Sequence, residues 1–230
     1  MRPRSRYSKK EKEVRCELSV FGQEGVIRGS LLDGKIAEPL IEEWPHSWEP
    51  GKLTYRLNSY TDDWTKVSDQ IKAVTVAFRA WQLRIKDLRF KREYDPDKHV
   101  DFNIAFKPLS HFDNLRGTLA HAYFPGQGDI SGDIHINDDW NWVPHSNWQN
   151  LARPPLLTVL MHEIGHAIGL RHDNRSKDCI MYPSMNLGKT KNALHKYDIE
   201  RIQSRYGART LNQRILDYFL KRRNAGWDFR

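Results

Sequence analysis

A chain of 230 residues is long enough to bury a sizeable core as one domain with extensions, and 39% hydrophobic residues with eight Trp is the composition of a folded protein rather than a disordered one. No run approaches the eighteen or so consecutive apolar residues of a membrane-spanning helix, so a soluble protein without a transmembrane segment is expected. The net charge of +8 sits at the ends, with seven Lys/Arg against two Glu in residues 1–15 and six against two Asp in 208–230; the near-neutral middle argues against a nucleic-acid-binding domain.

Residues 1–44 read as a polar, loosely structured N-terminal extension. MRPRSRYSKKEKEV carries charge with no apolar run behind it and does not resemble a signal peptide. Cys16 and Cys179 are too few for a disulfide framework and match no cysteine-based metal spacing. From residue 53, LTYRLNSY alternates as a strand, and Val67, Ile71, Val74, Phe78 and Trp81 recur at helical spacing. LRFKREY (88–94) and VDFNIAFK (100–107) are further strands, followed by a His- and Gly-rich region whose LAHAYF and DIHIND segments alternate with loops. Pro154 and Pro155 precede the apolar run LLTVLMHEIGHAIGL, a helix ended by Gly169, and another helix from about 195 to 206 stops at Gly207. Residues 45–207 thus form the expected domain; 208–230 form a basic tail in which Leu211, Ile215, Tyr218 and Phe219 are spaced as a short helix.

In HEIGHAIGLRH, His162 and His166 are four apart and share a helix face, so both imidazoles can reach one metal ion. Gly169 lets the chain turn sharply and return His172 as a third ligand. Three neutral imidazoles leave a fourth position open, which is the arrangement of a catalytic rather than a structural zinc. Glu163 is placed to take a proton from metal-bound water, whose pKa zinc lowers towards about 7. HExxH alone recurs by chance; Gly169, His172 and the following CIMYP in register make the catalytic reading specific.

This motif with the downstream Met181 resembles the metzincins, in which a Met-turn lies beneath the metal, and LTYRL, AFRAW, LAHAYFPG, GDIHIND and MYPSM are similar to the matrixins, or matrix metalloproteinases. The resemblance runs from about residue 45 to 207 and implies an α+β fold, a twisted five-stranded mixed sheet with three helices and a cleft at the HExxH helix. It implies a zinc-dependent endopeptidase, extracellular, acting on extracellular-matrix or other secreted proteins. Asp173, where matrixins have Ser or Thr, looks instead like adamalysins, so a neighbouring metzincin family is the alternative.

His111, Asp113, His121 and His135 could close a tetrahedral site, and by resemblance they match the structural-zinc ligands. Leu119 and Ala120 match the edge-strand positions that pair with substrate. Thr158 and Met185 match positions lining the pocket for the residue after the scissile bond, which is expected to be apolar and open. Asp101 and Asp133 match the carboxylates of one calcium site, whereas Asn137 and Trp140 stand where a second site has carboxylates, so one calcium ion is expected. Cys16 is the sole candidate for a latency thiol, but VRCELSVFG keeps only Arg-Cys of the family's PRCGxPD, and a plain residue of an extension is the favoured reading. Protein or peptide substrates and a monomer are expected; the basic tails could contact polyanions. An inactive metal-bearing module is the competing class, against which Glu163 argues.

Overall fold

The structure, a computed structural model, describes residues 13–15, 43–63, 66–112, 118–143, 153–186, 191–210 and 213. Cys16, Asp113 and most of the expected C-terminal helix lie outside them.

A three-residue strand, β1 (Glu13–Arg15), comes first in the chain. The alternating run at 53 lies in β2 (Gly51–Leu57), whose Leu53, Tyr55 and Leu57 all point into the core. α1 (Val67–Gln82) buries Val74, Ala77, Phe78 and Trp81 on one face. Then come β3 (Leu88–Arg92), β4 (Phe102–Lys107), β5 (Ala120–Ala122) and β6 (Ile134–Asn137). β2 to β6 form one sheet in the order β3-β2-β4-β6-β5, all parallel except β5, which runs antiparallel to β6 at the edge. This mixed five-stranded sheet with three helices is the expected α+β architecture.

α2 (Leu156–Ala167) is buried on every side, as its largely apolar sequence favours, its polar residues Thr158, His162, Glu163 and His166 included. It packs against α1, where Trp81 Nε1 donates to Met161 O at 2.9 Å. β7 (Ser184–Asn186) follows, and α3 (Lys196–Tyr206) closes the domain. A capping box starts α3, with the His195 side chain accepting from the Tyr197 amide and Asp198 accepting from the His195 amide.

The N-terminal extension departs from the loose segment expected of it in two places. From Glu43 onward the chain is docked, because two Trp find buried partners. Trp44 stacks on Phe124 at 4.4 Å and donates to Pro125 O at 2.7 Å, while Trp48 Nε1 donates to Ala167 O at 2.8 Å. Further upstream, β1 pairs antiparallel with β7, Val14 facing Met185.

Candidate metal centres and cleft

His162 and His166 project from one face of α2. The helix ends at Gly169, φ +97°, a conformation that L side chains rarely adopt, and Leu170 N turns back to donate to Gly165 O at 2.9 Å. The turn brings His172 to the other two imidazoles, with ring centroids 4.6 to 5.3 Å apart. One nitrogen from each lies within 4.8 Å of the others.

Hydrogen bonds assign the tautomers. His162 Nδ1 lies 2.6 Å from Ile180 O and His166 Nδ1 lies 2.7 Å from Leu170 O, so each Nδ1 carries the proton. Their Nε2 atoms, 3.0 Å apart, are then bare lone pairs facing each other. His172 Nε2 is buried without a hydrogen-bond partner among the described residues. Burial pushes His162 down to about 4 and His172 to about 3, and with its neighbours holds His166 far below the usual imidazole range, so all three are neutral. Converging lone pairs on neutral rings are a donor set that a divalent metal satisfies.

Glu163 is fully buried and lines the cleft beside His162. Met181 packs beneath α2, its sulfur against Gly165. Its turn is anchored by Asp198, which accepts from Ile180 N at 2.8 Å and Met181 N at 3.1 Å, while Met181 O accepts from Asp173 N at 2.8 Å. Asp173 itself is buried. Desolvation works to raise its pKa, but the hydrogen bonds and charge of Arg175 outweigh burial and hold the carboxylate below its usual range.

The cleft is open to solvent, and its empty space, open solvent included, is about 350 Å³. Leu119, Thr158 and Met185 line it, with Ile180, Tyr182 and Lys191. Lys191 was not foreseen, since GKTKN matches no motif; its place is set by Thr158, whose hydroxyl donates to Lys191 O at 2.8 Å. Ala120 lies in edge strand β5.

A second imidazole cluster lies across the sheet edge, where the β5–β6 register sets His121 directly opposite His135. His111 joins them from the turn after β4, with the three facing nitrogens 2.8 to 3.3 Å apart. Burial, reinforced by mutual repulsion, pushes His121 down to about 4 and His135 to about 3. Among the described residues, two His triads are thus placed where they could hold metal.

Asp101 Oδ2 accepts from Thr54 N at 2.6 Å and Thr54 Oγ1 at 2.9 Å. Its carbonyl packs against Gly132, φ +81°, too closely for any Cβ, which brings the segments bearing Asp101 and Asp133 together. Burial pushes Asp133 up to about 6. Asn137 and Trp140 both donate to Thr118 O, at 2.9 and 2.8 Å, a hydrogen-bonded tie where carboxylates were expected from the family pattern.

The family described as Matrixin matches residues 47–207. The chain is 37% identical over 169 residues to the macrophage metalloelastase of Rattus norvegicus, covering 72% of this chain and 34% of that protein. It is 37% identical over 171 residues to matrix metalloproteinase-20 of Homo sapiens, covering 70% and 32%, and 36% identical over 166 residues to the neutrophil collagenase of Homo sapiens, covering 70% and 33%. The chain spans about a third of the length of these curated relatives. The match runs over the whole sheet from β2 to the end of α3 and includes both His triads, so the chain belongs to the matrixin family.

Proposed function

We propose that this protein is a zinc-dependent endopeptidase that hydrolyses internal bonds of extracellular-matrix or other secreted proteins. The observation that carries the reading is the meeting of the His162, His166 and His172 lone pairs beside a buried Glu163 at the wall of an open cleft. These three residues would hold the catalytic metal, and the buried Met181 turn beneath them fixes their helix. A bound zinc supplies Lewis acidity towards the scissile carbonyl and the attacking water. Glu163 orients that water, removes its proton and delivers a proton to the departing amine. The main chain at Leu119 and Ala120 pairs with an extended substrate, and the side chain after the scissile bond enters the pocket between Thr158 and Met185.

His111, His121 and His135, with Asp113, would hold a structural zinc; a closed set of four protein ligands has no position for chemistry. Asp101 and Asp133 would hold one calcium ion, a hard cation that takes anionic oxygens, the Gly132 contact bringing the two segments together. The matrix as substrate class is supported by the family and by the names of its relatives, and action on such substrates would be outside the cell.

The test is cleavage of a mixed peptide library and of matrix proteins by the zinc-loaded chain, with and without its first 42 residues. Internal cleavage that a chelator abolishes and zinc restores is expected. Failure of both forms to cut any internal bond would overturn the proposal.

A further inference from the structure

Lys191 is anchored to α2 at both main-chain groups. Thr158 Oγ1 donates to its carbonyl at 2.8 Å and accepts from its amide at 3.2 Å. Thr158 lies one helical turn before His162, on the same face of α2. From there the Lys191 side chain reaches the segment that follows His172. Its Nζ donates to Cys179 O at 2.6 Å and lies 5.7 Å from the Tyr182 ring centroid. Lys191, tied at one end to Thr158 and at the other to Cys179 O, is part of the cleft lining.

An ammonium carries three protons. Cys179 O takes one, and among the described residues Nζ has no second acceptor and no carboxylate within ion-pair distance. Burial lowers its pKa against the distant pull of Asp198 and Asp178, which marks a cation poorly served by solvent. Leu119, Val159, Ile180 and Met185 give the same cleft apolar lining. An apolar pocket with an under-bonded donor in its wall fits a side chain with an apolar stem and an acceptor tip.

We infer that Lys191 is a specificity-determining residue, and that the pocket selects glutamine or glutamate over an apolar side chain of the same length directly after the scissile bond. The inference rests on the endopeptidase reading for its context, while binding tests it separately. The stem of such a residue occupies the apolar pocket, and its carbonyl or carboxylate oxygen accepts from the Lys191 ammonium. Methionine fills the pocket equally well but leaves the donor unmet, so the difference between the two residues reports on Lys191 alone.

The experiment uses peptides identical except for Gln, Glu, Met or Leu at that position. Their kcat/KM values are measured in competition with the wild-type chain, and their affinities by calorimetry with Glu163→Ala, which cannot turn them over. A preference for Gln over Met of about tenfold is expected in both, from one hydrogen bond to a charged donor. Lys191→Met should abolish the preference and Lys191→Arg should keep it. Equal treatment of Gln and Met by the wild type, or a preference that survives in Lys191→Met, would overturn the inference. If Lys191→Met does not fold, the wild-type Gln to Met ratio decides. Absence of all cleavage with a Lys191-dependent binding preference would sink the endopeptidase reading and leave Lys191 as a ligand-selecting residue.

Discussion

Arg201 of α3 grips Glu43 with two hydrogen bonds, Nε to Oε1 at 2.6 Å and Nη2 to Oε2 at 3.0 Å, tying together residues 158 positions apart. The same guanidinium donates to Arg171 O at 2.9 Å and lies 3.6 Å from the buried Asp173 carboxylate. It therefore braces the loop that carries His172 while holding the start of the domain. Arg201→Ala leaves the loop without that brace, and because Glu43 is 38% exposed the cost should fall below that of a fully buried pair, at about 2 to 3 kcal/mol. Urea titration measures it, and faster zinc loss to a chelator should accompany it. A variant with unchanged midpoint and zinc retention would show that the brace is idle.

Glu163→Ala removes a carboxylate without touching the three imidazoles. Zinc content and fold should be retained while kcat/KM falls about 10³-fold or more, since proton transfer and water orientation are lost together. Near-normal turnover in a fully loaded variant would refute its assignment as the base.

Gly165 is required by Met181. A Cβ at 165 would strike the Met181 sulfur and crowd the Trp81 ring, both fully buried. Ala is the better helix former by about 1 kcal/mol. Overpacking should exceed that gain, so Gly165→Ala should be destabilising by about 1 to 2 kcal/mol net. A raised melting temperature would mean that the Met181 side chain has room to move aside.

Much of the first triad was legible because its geometry is local. Spacing on one helix and one glycine turn bring His162, His166 and His172 together, and no distant contact is needed. His121 and His135 were readable through the family likeness of LAHAYF and DIHIND, while the strand register that sets them opposite each other was not. Lys191 and β1 were not readable. Lys191 owes its position to Thr158, 33 residues away, and to the Cys179 carbonyl, neither of which leaves a pattern in GKTKN. β1 is three residues long, too short to show alternation, and exists only through β7. Trp44 and Trp48 were visible as residues, but their polar neighbours masked the docking that they impose.

The metal-free protein should lose stability in acid. His162, His172, His121 and His135 have folded pKa values near 3 to 4, below the 6.5 of the unfolded chain, so they bind fewer protons when native. Their contribution is complete above about pH 6.5 and is lost as the pH falls towards 3 to 4. After chelation, the urea midpoint at pH 5 should lie below that at pH 7.5, and His121→Gln should flatten the difference. A midpoint independent of pH over that range would contradict neutral, buried rings.

Latency is the last consequence, and β1 bears on it. Glu13–Arg15 pairs with Ser184–Asn186, the strand that carries the pocket residue Met185, and Cys16 follows β1 directly in the sequence. The other thiol, Cys179, is buried and pushed up to about 12 by desolvation, with Asp198 and Asp173 adding to the effect, so it is inert. An extended segment lying along the pocket wall competes with substrate for that wall, whatever the thiol does. A thiolate delivered to the open position on the metal would add a second block. Three forms separate these effects: the intact chain, Cys16→Ser, and a chain beginning at Glu43. We expect the shortened chain to be the most active, by about tenfold or more over the intact one, and Cys16→Ser to match the intact chain; a value between them would mark a thiol block. Modification of Cys16 by a thiol reagent should be equally fast with and without zinc, and protection by zinc would identify a thiolate on the metal. Equal activity in all three forms, with equal thiol reactivity in the two metal states, would end the latency idea and leave residues 1–42 as an extension without control over the cleft.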